Sequence, residues 1–273
     1  MSKYPPIYYS DYLQLDTLLG SQKPKSDEYG HKAHEEMLFI IVHQAYELWF
    51  KQILHEIDSI NGMFRDEVVD EKSIGIAVSR LKRITEIQKL LIEQLRVLET
   101  MTPLDFLEFR DFLIPASGFQ SFQFRLIENK LGLSDEKRIQ YNNVDYLNTL
   151  EAPHRELILQ TVKERSLFEL VEKWLERTPF LNSQNFNFWQ SYKEAVERML
   201  EHETKIIMEN ATLTEKKREF QLKNVELNRE NFAALFDEQK HNELVKEGRR
   251  QLSNRSMLAA IFINLYRDEP ILH

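Results

Sequence analysis

The sequence contains no cysteine and only 7 glycines in 273 residues. Without cysteine the chain has no disulfides, no thiolate nucleophile and no cysteine-ligated zinc or iron–sulfur site, which fits a reducing compartment. Average usage would give about 19 glycines, and prolines number only 8. Barrels, sandwiches and alternating α/β folds need many tight turns, so this composition disfavours them. Long helices with few connections fit it best.

Several functional signatures are also missing. Neither glycine-rich phosphate loop occurs, and there is no G-x-S-x-G. The net charge of −8 disfavours a nucleic-acid partner. The longest strongly apolar run, Met37 to Val42, is far below the ~18 residues of a membrane-spanning helix, and the N-terminus lacks an apolar signal region. We therefore expect a soluble, cytoplasmic protein that binds neither nucleic acid nor membrane.

Apolar residues recur at helical spacing along most of the chain. The segment at about 34–64 is apolar on more than one face, as expected of a helix at the centre of a bundle. A second long helix is predicted at about 73–100, and Thr102 and Pro103 predict the start of a third that ends near Ile114. Further helices are predicted at about 7–19, 119–131, 155–177, 184–209, 213–235, 238–247 and 253–267. We expect an all-α, multi-helix bundle forming a single domain over residues 1–273, with residues 20–33 and 133–153 irregular.

His43 lies in the middle of the most apolar predicted helix, one turn after Phe39. Both side chains therefore project from the same face. A histidine in such a place is most often a core residue whose hydrogen bonds are satisfied. Alternatively it serves as a base or hydrogen-bond partner, oriented by Glu47 one turn later.

Arg110 is placed among phenylalanines and leucines in the segment 106–113. These surroundings predict a buried guanidinium, which needs an anionic partner. Two interpretations stay open. The partner is either Asp111 or Glu99 in a structural ion pair, or the carboxylate of a substrate held by both arms of the guanidinium.

Metal-binding patterns are weak. His31 and His34 have a ligand-like spacing, but they lie where a loop meets a helix, without an obvious third ligand. A di-iron bundle needs two Glu-x-x-His pairs and two further glutamates. Glu238 and His241 form one such pair, so the di-iron interpretation is disfavoured.

Motifs along the chain resemble those of the tryptophan 2,3-dioxygenase family. They are FIIVHQAYELWFKQI at 39–53, LETMTPLDF at 98–106, FR at 109–110, PASGFQS at 115–121, WLERTP at 174–179, NFNFW at 185–189 and YRDEP at 266–270. The resemblance covers essentially the whole chain.

The resemblance implies an all-helical homotetramer. It also implies a haem b enzyme that inserts both atoms of O2 across the indole C2–C3 bond of L-tryptophan, giving N-formylkynurenine in the kynurenine pathway of tryptophan catabolism. By the same resemblance, His43 is the distal histidine that hydrogen-bonds the indole N–H. Phe39 lines the same pocket, and Arg110 pairs with the substrate carboxylate.

Four further site residues follow from the resemblance alone. Phe106 stands where family members carry either Tyr or Phe, so no catalytic hydroxyl is required there. Ser117 is expected over the distal side of the haem. Tyr9 and Tyr12 match tyrosines that a neighbouring subunit lends to the pocket, from an N-terminal arm of about residues 1–33.

The sequence departs from the family pattern at its end. In the family, a Trp-Arg-x-x-His stretch with the proximal haem ligand and a glycine-rich loop for the substrate ammonium group follow the position of YRDEP, whereas this sequence stops at His273. No metal ligand is assigned in this chain, neither at His241 nor at His273. Three interpretations stay open: a dioxygenase lacking its C-terminal part and inactive as it stands, a non-catalytic scaffold or assembly homologue, or an unrelated di-iron or structural bundle.

Overall fold

The computed structural model describes residues 4–66, 68–133, 147, 150–177 and 188–266. Of these residues 78% are helical and none lies in a strand, so the all-α prediction is confirmed. The helices are α1 Tyr9–Leu13, α2 Leu15–Leu19, α3 Lys25–Glu28, α4 Glu35–Arg65, α5 Glu71–Leu98, α6 Pro103–Arg110, α7 Phe122–Leu131, α8 Ala152–Lys163, α9 Leu167–Glu176, α10 Phe188–Glu209, α11 Glu215–Phe236, α12 Glu238–Lys246 and α13 Asn254–Tyr266.

Two compact units divide the chain, Met1–Phe168 and Glu169–His273. The prediction of a single domain over residues 1–273 stays a prediction. In the second unit, α10 and α11 pack against each other through a small apolar cluster that includes Val196, Leu200 and Val225.

Helix α4 is the central element of the first unit, where it packs against α5, α6 and α7. Its buried apolar residues recur three or four positions apart, as a core-facing stripe requires. They include Val42, Ile53, Ile57, Ile60 and Phe64. The prediction that this helix lies at the centre of a bundle is confirmed for this unit.

A buried carboxylate ties α4 to α5. The side chain of Glu56 is 4% exposed and accepts hydrogen bonds of 2.6 Å from Arg83 and from Gln52. The guanidinium of Arg80 lies 3.5 Å away. Burial alone would raise the pKa of Glu56, but these hydrogen bonds and the two positive charges outweigh burial and hold the pKa below its ordinary value.

Three details differ from the sequence prediction. The predicted helix at 7–19 is interrupted at Gln14, whose φ of 52° is left-handed. A short helix, α3, lies inside the predicted loop 20–33. The predicted helix at 155–177 is divided after Lys163, where Ser166 and Phe168 approach so close to Gly132 that a Cβ there would lie 2.9 Å from each.

Some predictions fall outside the described residues. Most of the segment predicted as irregular at 133–153 does so, as do residues 184–187 of the predicted helix 184–209 and His273 at the end of the chain.

Candidate functional site

Helix α6 begins at a well-defined cap. Thr102 Oγ1 accepts the backbone N–H of Asp105, while the Asp105 carboxylate accepts the backbone N–H of Thr102. Pro103 occupies the first helical position, where its missing N–H costs no hydrogen bond. The start of α6 predicted from Thr102 and Pro103 is therefore confirmed, and this start fixes which residues of α6 face α4.

Three phenylalanines from α4 and α6 form an aromatic cluster. Phe109 is fully buried, and its ring centroid lies 5.5 Å from Phe39 and 5.3 Å from Phe106, with the latter pair perpendicular. Phe39 and Phe106 are 5.6 Å apart. Such edge-to-face contacts are favourable for aromatic rings. His43 and Arg110 flank this cluster, His43 beside Phe39 and Arg110 beside Phe106.

His43 is half-buried beside this cluster, with its ring centroid 4.1 Å from that of Phe39. Its Nδ1 lies 2.7 Å from the backbone carbonyl of Phe39. Because a carbonyl can only accept, Nδ1 carries the proton and donates it. In the neutral ring Nε2 is then a free acceptor, the group needed to accept an indole N–H.

Glu47 does not orient His43. Its carboxylate and its backbone carbonyl both accept hydrogen bonds from the amide of Gln123 in α7, at 2.8 and 2.9 Å. The prediction that Glu47 holds the histidine is wrong, because the preceding turn of α4 already satisfies Nδ1 through the Phe39 carbonyl.

Arg110 is exposed, so the prediction that its guanidinium is buried is wrong for this chain. Its Cζ lies over the ring of Phe106, 5.5 Å from the centroid. Within the described ranges no carboxylate lies within ion-pair distance of it, and neither Asp111 nor Glu99 is its partner. The guanidinium therefore keeps its donors available beside an aromatic wall.

Ser117 has a local structural role. Its hydroxyl oxygen accepts the backbone N–H of Phe119, and its own backbone N–H donates to the Gln120 side chain, so it caps the 3-10 turn Gly118–Gln120. It is exposed, with its hydroxyl proton left over for another acceptor. Among the described residues no hydrogen bond joins it to the aromatic cluster, and its placement over a haem stays a prediction.

Tyr9 and Tyr12 lie on α1, which packs on α2, and neither helix has a buried residue. Their side chains are 75% and 71% exposed. Within one protomer they are not part of the aromatic cluster.

Sequence reasoning missed two contributors. Phe109 anchors α6 on α4, and Phe112, in the 3-10 turn Asp111–Leu113, stacks on Tyr29 and His31 from the segment around α3. Helical periodicity could have identified Phe109, three positions after Phe106, as facing the same neighbour. Nothing in the sequence pattern indicates the contacts of Phe112, because they join segments about 80 residues apart.

A haem iron needs an axial ligand, often an imidazole. The buried His241 has no free ring nitrogen, since Nε2–H donates to the Leu252 carbonyl at 2.9 Å and Nδ1 accepts from Arg250 at 2.7 Å. His43 has a free Nε2, but that is the acceptor an indole N–H requires. Neither of these two histidines is therefore available as an axial ligand, and no axial ligand is assigned among the described residues. The described residues also contain no group of three His, Asp or Glu side chains placed to hold a metal ion.

Among the described residues, the fold and the site define an all-helical protein with an aromatic cluster flanked by an imidazole acceptor and by a guanidinium without an ion pair. The family model described as tryptophan 2,3-dioxygenase matches residues 2–273. The chain belongs to the tryptophan 2,3-dioxygenase family, which excludes the interpretation as an unrelated bundle.

Relatives from distant organisms agree with this family. The tryptophan 2,3-dioxygenase of Bdellovibrio bacteriovorus is 52% identical over 99% of this chain and 75% of its own length. That of Dictyostelium discoideum is 49% identical over 98% of this chain and 67% of its own length. Tryptophan 2,3-dioxygenase B of Danio rerio is 48% identical, and the match spans 97% of this chain and 65% of that protein. None of the described helices could cross a membrane.

Proposed function

We propose that this chain is an oxidoreductase of tryptophan catabolism, a tryptophan 2,3-dioxygenase. The reaction adds both atoms of O2 across the indole C2–C3 bond of L-tryptophan and yields N-formylkynurenine, without an external reductant. The observation that carries the proposal concerns one aromatic cluster. A hydrogen-bond acceptor lies beside its Phe39, and a guanidinium without an ion pair among the described residues lies beside its Phe106. Family membership supports the same chemistry.

The side chains of this chain bind and orient the substrate. Phe39 and Phe106 contact the indole ring and exclude water from it, as aromatic walls do in small-molecule sites. Nε2 of His43 accepts the indole N–H, and the guanidinium of Arg110 donates two hydrogen bonds to the carboxylate. Together these contacts fix the ring by its nitrogen and the amino acid by its acid group.

Haem and oligomerisation are further parts of the proposal. The family is haem-dependent, and haem, when bound, would supply the activation of O2. Homotetramer formation would bring the exposed Tyr9 and Tyr12 of one subunit to the pocket of a neighbour. Their exposure in a single protomer supports this arrangement, because eight large apolar side chains of the first 19 residues, from Tyr4 to Leu19, face solvent.

Tryptophan binding by calorimetry tests the role of Arg110. We expect Arg110→Ala to weaken L-tryptophan binding by about 1.5–3 kcal/mol, the usual value of hydrogen bonds between charged groups. Tryptamine, which lacks the carboxylate, should bind wild type and variant alike. Arg96→Ala, which removes an exposed arginine on α5, is the matched control. Equal losses for both ligands would contradict the carboxylate contact.

Formation of N-formylkynurenine distinguishes an active dioxygenase from a chain that only binds tryptophan. N-formylkynurenine should form when the chain is supplied with haem, O2 and L-tryptophan, and Arg110→Ala should slow its formation. Tryptophan binding without product would instead favour either a dioxygenase that lacks its C-terminal part or the non-catalytic homologue.

A further inference from the structure

Glu36 is a fully buried carboxylate at the start of α4, outside the aromatic cluster. Its Oε1 accepts the backbone N–H of Lys25 at 2.7 Å, and its Oε2 accepts that of Ser26 at 2.9 Å. Burying a carboxylate is unfavourable unless both oxygens are hydrogen-bonded, and here the backbone of α3 satisfies them. The start of α3 is thus attached to the start of α4.

Ser26 of α3, which is also fully buried, makes hydrogen bonds to the segment that connects α3 with α4. Its hydroxyl accepts the backbone N–H of Ala33 at 3.3 Å, and its carbonyl accepts that of His31 at 2.8 Å. Residues 25–33 therefore form a closed loop, which we call the α3 loop, and Glu36 joins this loop to α4.

The α3 loop holds the segment that follows Arg110. Tyr29 stacks on Phe112 with ring centroids 5.2 Å apart, and His31 stacks on the same ring at 5.7 Å. Phe112 comes two residues after Arg110, in the 3-10 turn Asp111–Leu113 that directly continues α6. Because the guanidinium of Arg110 has no ion pair in the described part of the chain, its direction depends on where this end of α6 is held.

We propose that Glu36 is a positioning residue for tryptophan binding, which acts through the α3 loop and Phe112 on Arg110. The proposal rests on the proposed function only for the identity of the ligand that Arg110 binds. Glu36 itself touches no substrate. It fixes the loop whose aromatic side chains hold the C-terminal end of α6.

Glu36→Gln is the sharpest test because it keeps the size of the side chain. The amide has one acceptor oxygen in place of two, and its NH2 faces a backbone N–H that has lost its acceptor. Glu35→Gln is the matched control. It removes a charge from the same helix start, and the side chain of the half-buried Glu35 makes no hydrogen bond or ion pair with other described residues.

The first measurement is amide hydrogen exchange of the full 273-residue chain, without substrate. In Glu36→Gln we expect faster exchange in residues 25–33 and also in 109–113, with unchanged exchange in the α4 core at 53–60. Glu35→Gln should change neither segment. Faster exchange confined to 25–33, or no change at all, would overturn the proposal, because the loop would then not hold the end of α6.

The second measurement is calorimetric binding of L-tryptophan and tryptamine. We expect Glu36→Gln to weaken L-tryptophan binding about tenfold, to leave tryptamine unchanged, and to cause no further loss in an Arg110→Ala background. Additive losses would overturn the action through Arg110. If wild type itself binds no tryptophan, the proposed function fails, whereas the exchange data still decide whether Glu36 positions Arg110.

Phe112→Leu keeps the proposal testable if Glu36→Gln does not fold. It removes the aromatic contact and leaves the Glu36 hydrogen bonds in place. We expect faster exchange at 109–113 and the same selective loss of L-tryptophan binding. Unchanged exchange and binding would overturn the proposal.

Discussion

A single local hydrogen bond decides what His43 can do. The Phe39 carbonyl lies one turn earlier on the same helix and takes the Nδ1 proton at 2.7 Å. The tautomer is therefore set within α4, without a carboxylate. This leaves Nε2 as an acceptor on a ring that packs against Phe39, which suits a neutral N–H donor such as indole.

We expect His43→Ala to weaken L-tryptophan binding by about 1 kcal/mol, the usual net value of one hydrogen bond. Its free energy of unfolding, from urea titration, should fall by only about 1 kcal/mol, because the ring is half-buried. Tryptophan methylated at the indole nitrogen has no N–H to donate and should bind both proteins equally. Loss of folded protein would favour the interpretation as a core histidine.

The sequence pattern around Arg110 predicts one of its contacts correctly but predicts its burial wrongly. Its apolar neighbours in the sequence predict burial, but on α6 only Phe109 is fully buried, while Leu104 and Leu107 face solvent. Sequence adjacency is a poor guide on a short helix, where residues three or four apart share a face. Arg110 shares a face with Phe106, so its contact with that ring follows from the spacing, whereas its lack of an ion pair does not.

At the scale of elements, the tie between α4 and α5 makes stability depend on pH. The pKa of Glu56 is lower in the folded protein than its ordinary 4.5, so the ionised carboxylate stabilises the fold. This contribution is fully present above about pH 4.5 and is lost as the pH falls through the lower folded value.

We expect Glu56→Gln to reduce the free energy of unfolding at pH 7 by about 1–2 kcal/mol, since Arg83 is half-exposed and partly screened. Below about pH 4.5 the difference from wild type should shrink. Urea titrations at both pH values measure this. Glu86→Gln breaks an exposed pair with Lys89 and should change stability little at either pH. A constant difference for Glu56→Gln would contradict the pKa argument.

The long helices could be predicted from the sequence, and the short ones could not. The predicted helix at 34–64 is found at Glu35–Arg65, and that at 73–100 at Glu71–Leu98, because their apolar stripes repeat over many turns. Helix α3 has only 4 residues, too few for a period. The Glu36 carboxylate stabilises α3 by accepting its first two backbone N–H groups. This contact joins residues about ten positions apart and has no periodic signal in the sequence.

At the scale of the whole molecule, the first two helices of the N-terminal arm, α1 and α2, bury no residue within their own protomer. Tyr9 and Tyr12 on α1 are exposed. Groups of exposed apolar side chains commonly mark interaction sites on proteins. Under the proposed function, these exposed side chains contact a second copy of the chain, next to the aromatic cluster of that copy.

Mixed oligomers test whether the arm acts on a neighbour. In one variant Tyr9 and Tyr12 are both changed to Ala, and in the other Arg110→Ala disables the pocket. We expect each variant alone to bind L-tryptophan weakly, for lack of either the arm or the guanidinium. When the two are co-expressed, some pockets with an intact Arg110 meet an intact arm from the other variant, so calorimetry should recover a fraction of tight sites. If the arm acted on its own protomer, no mixture of the two variants could contain an intact site. Mass spectrometry confirms that mixed oligomers have formed. Absence of tight sites in those oligomers would contradict a contribution of the arm to the pocket of a neighbouring subunit.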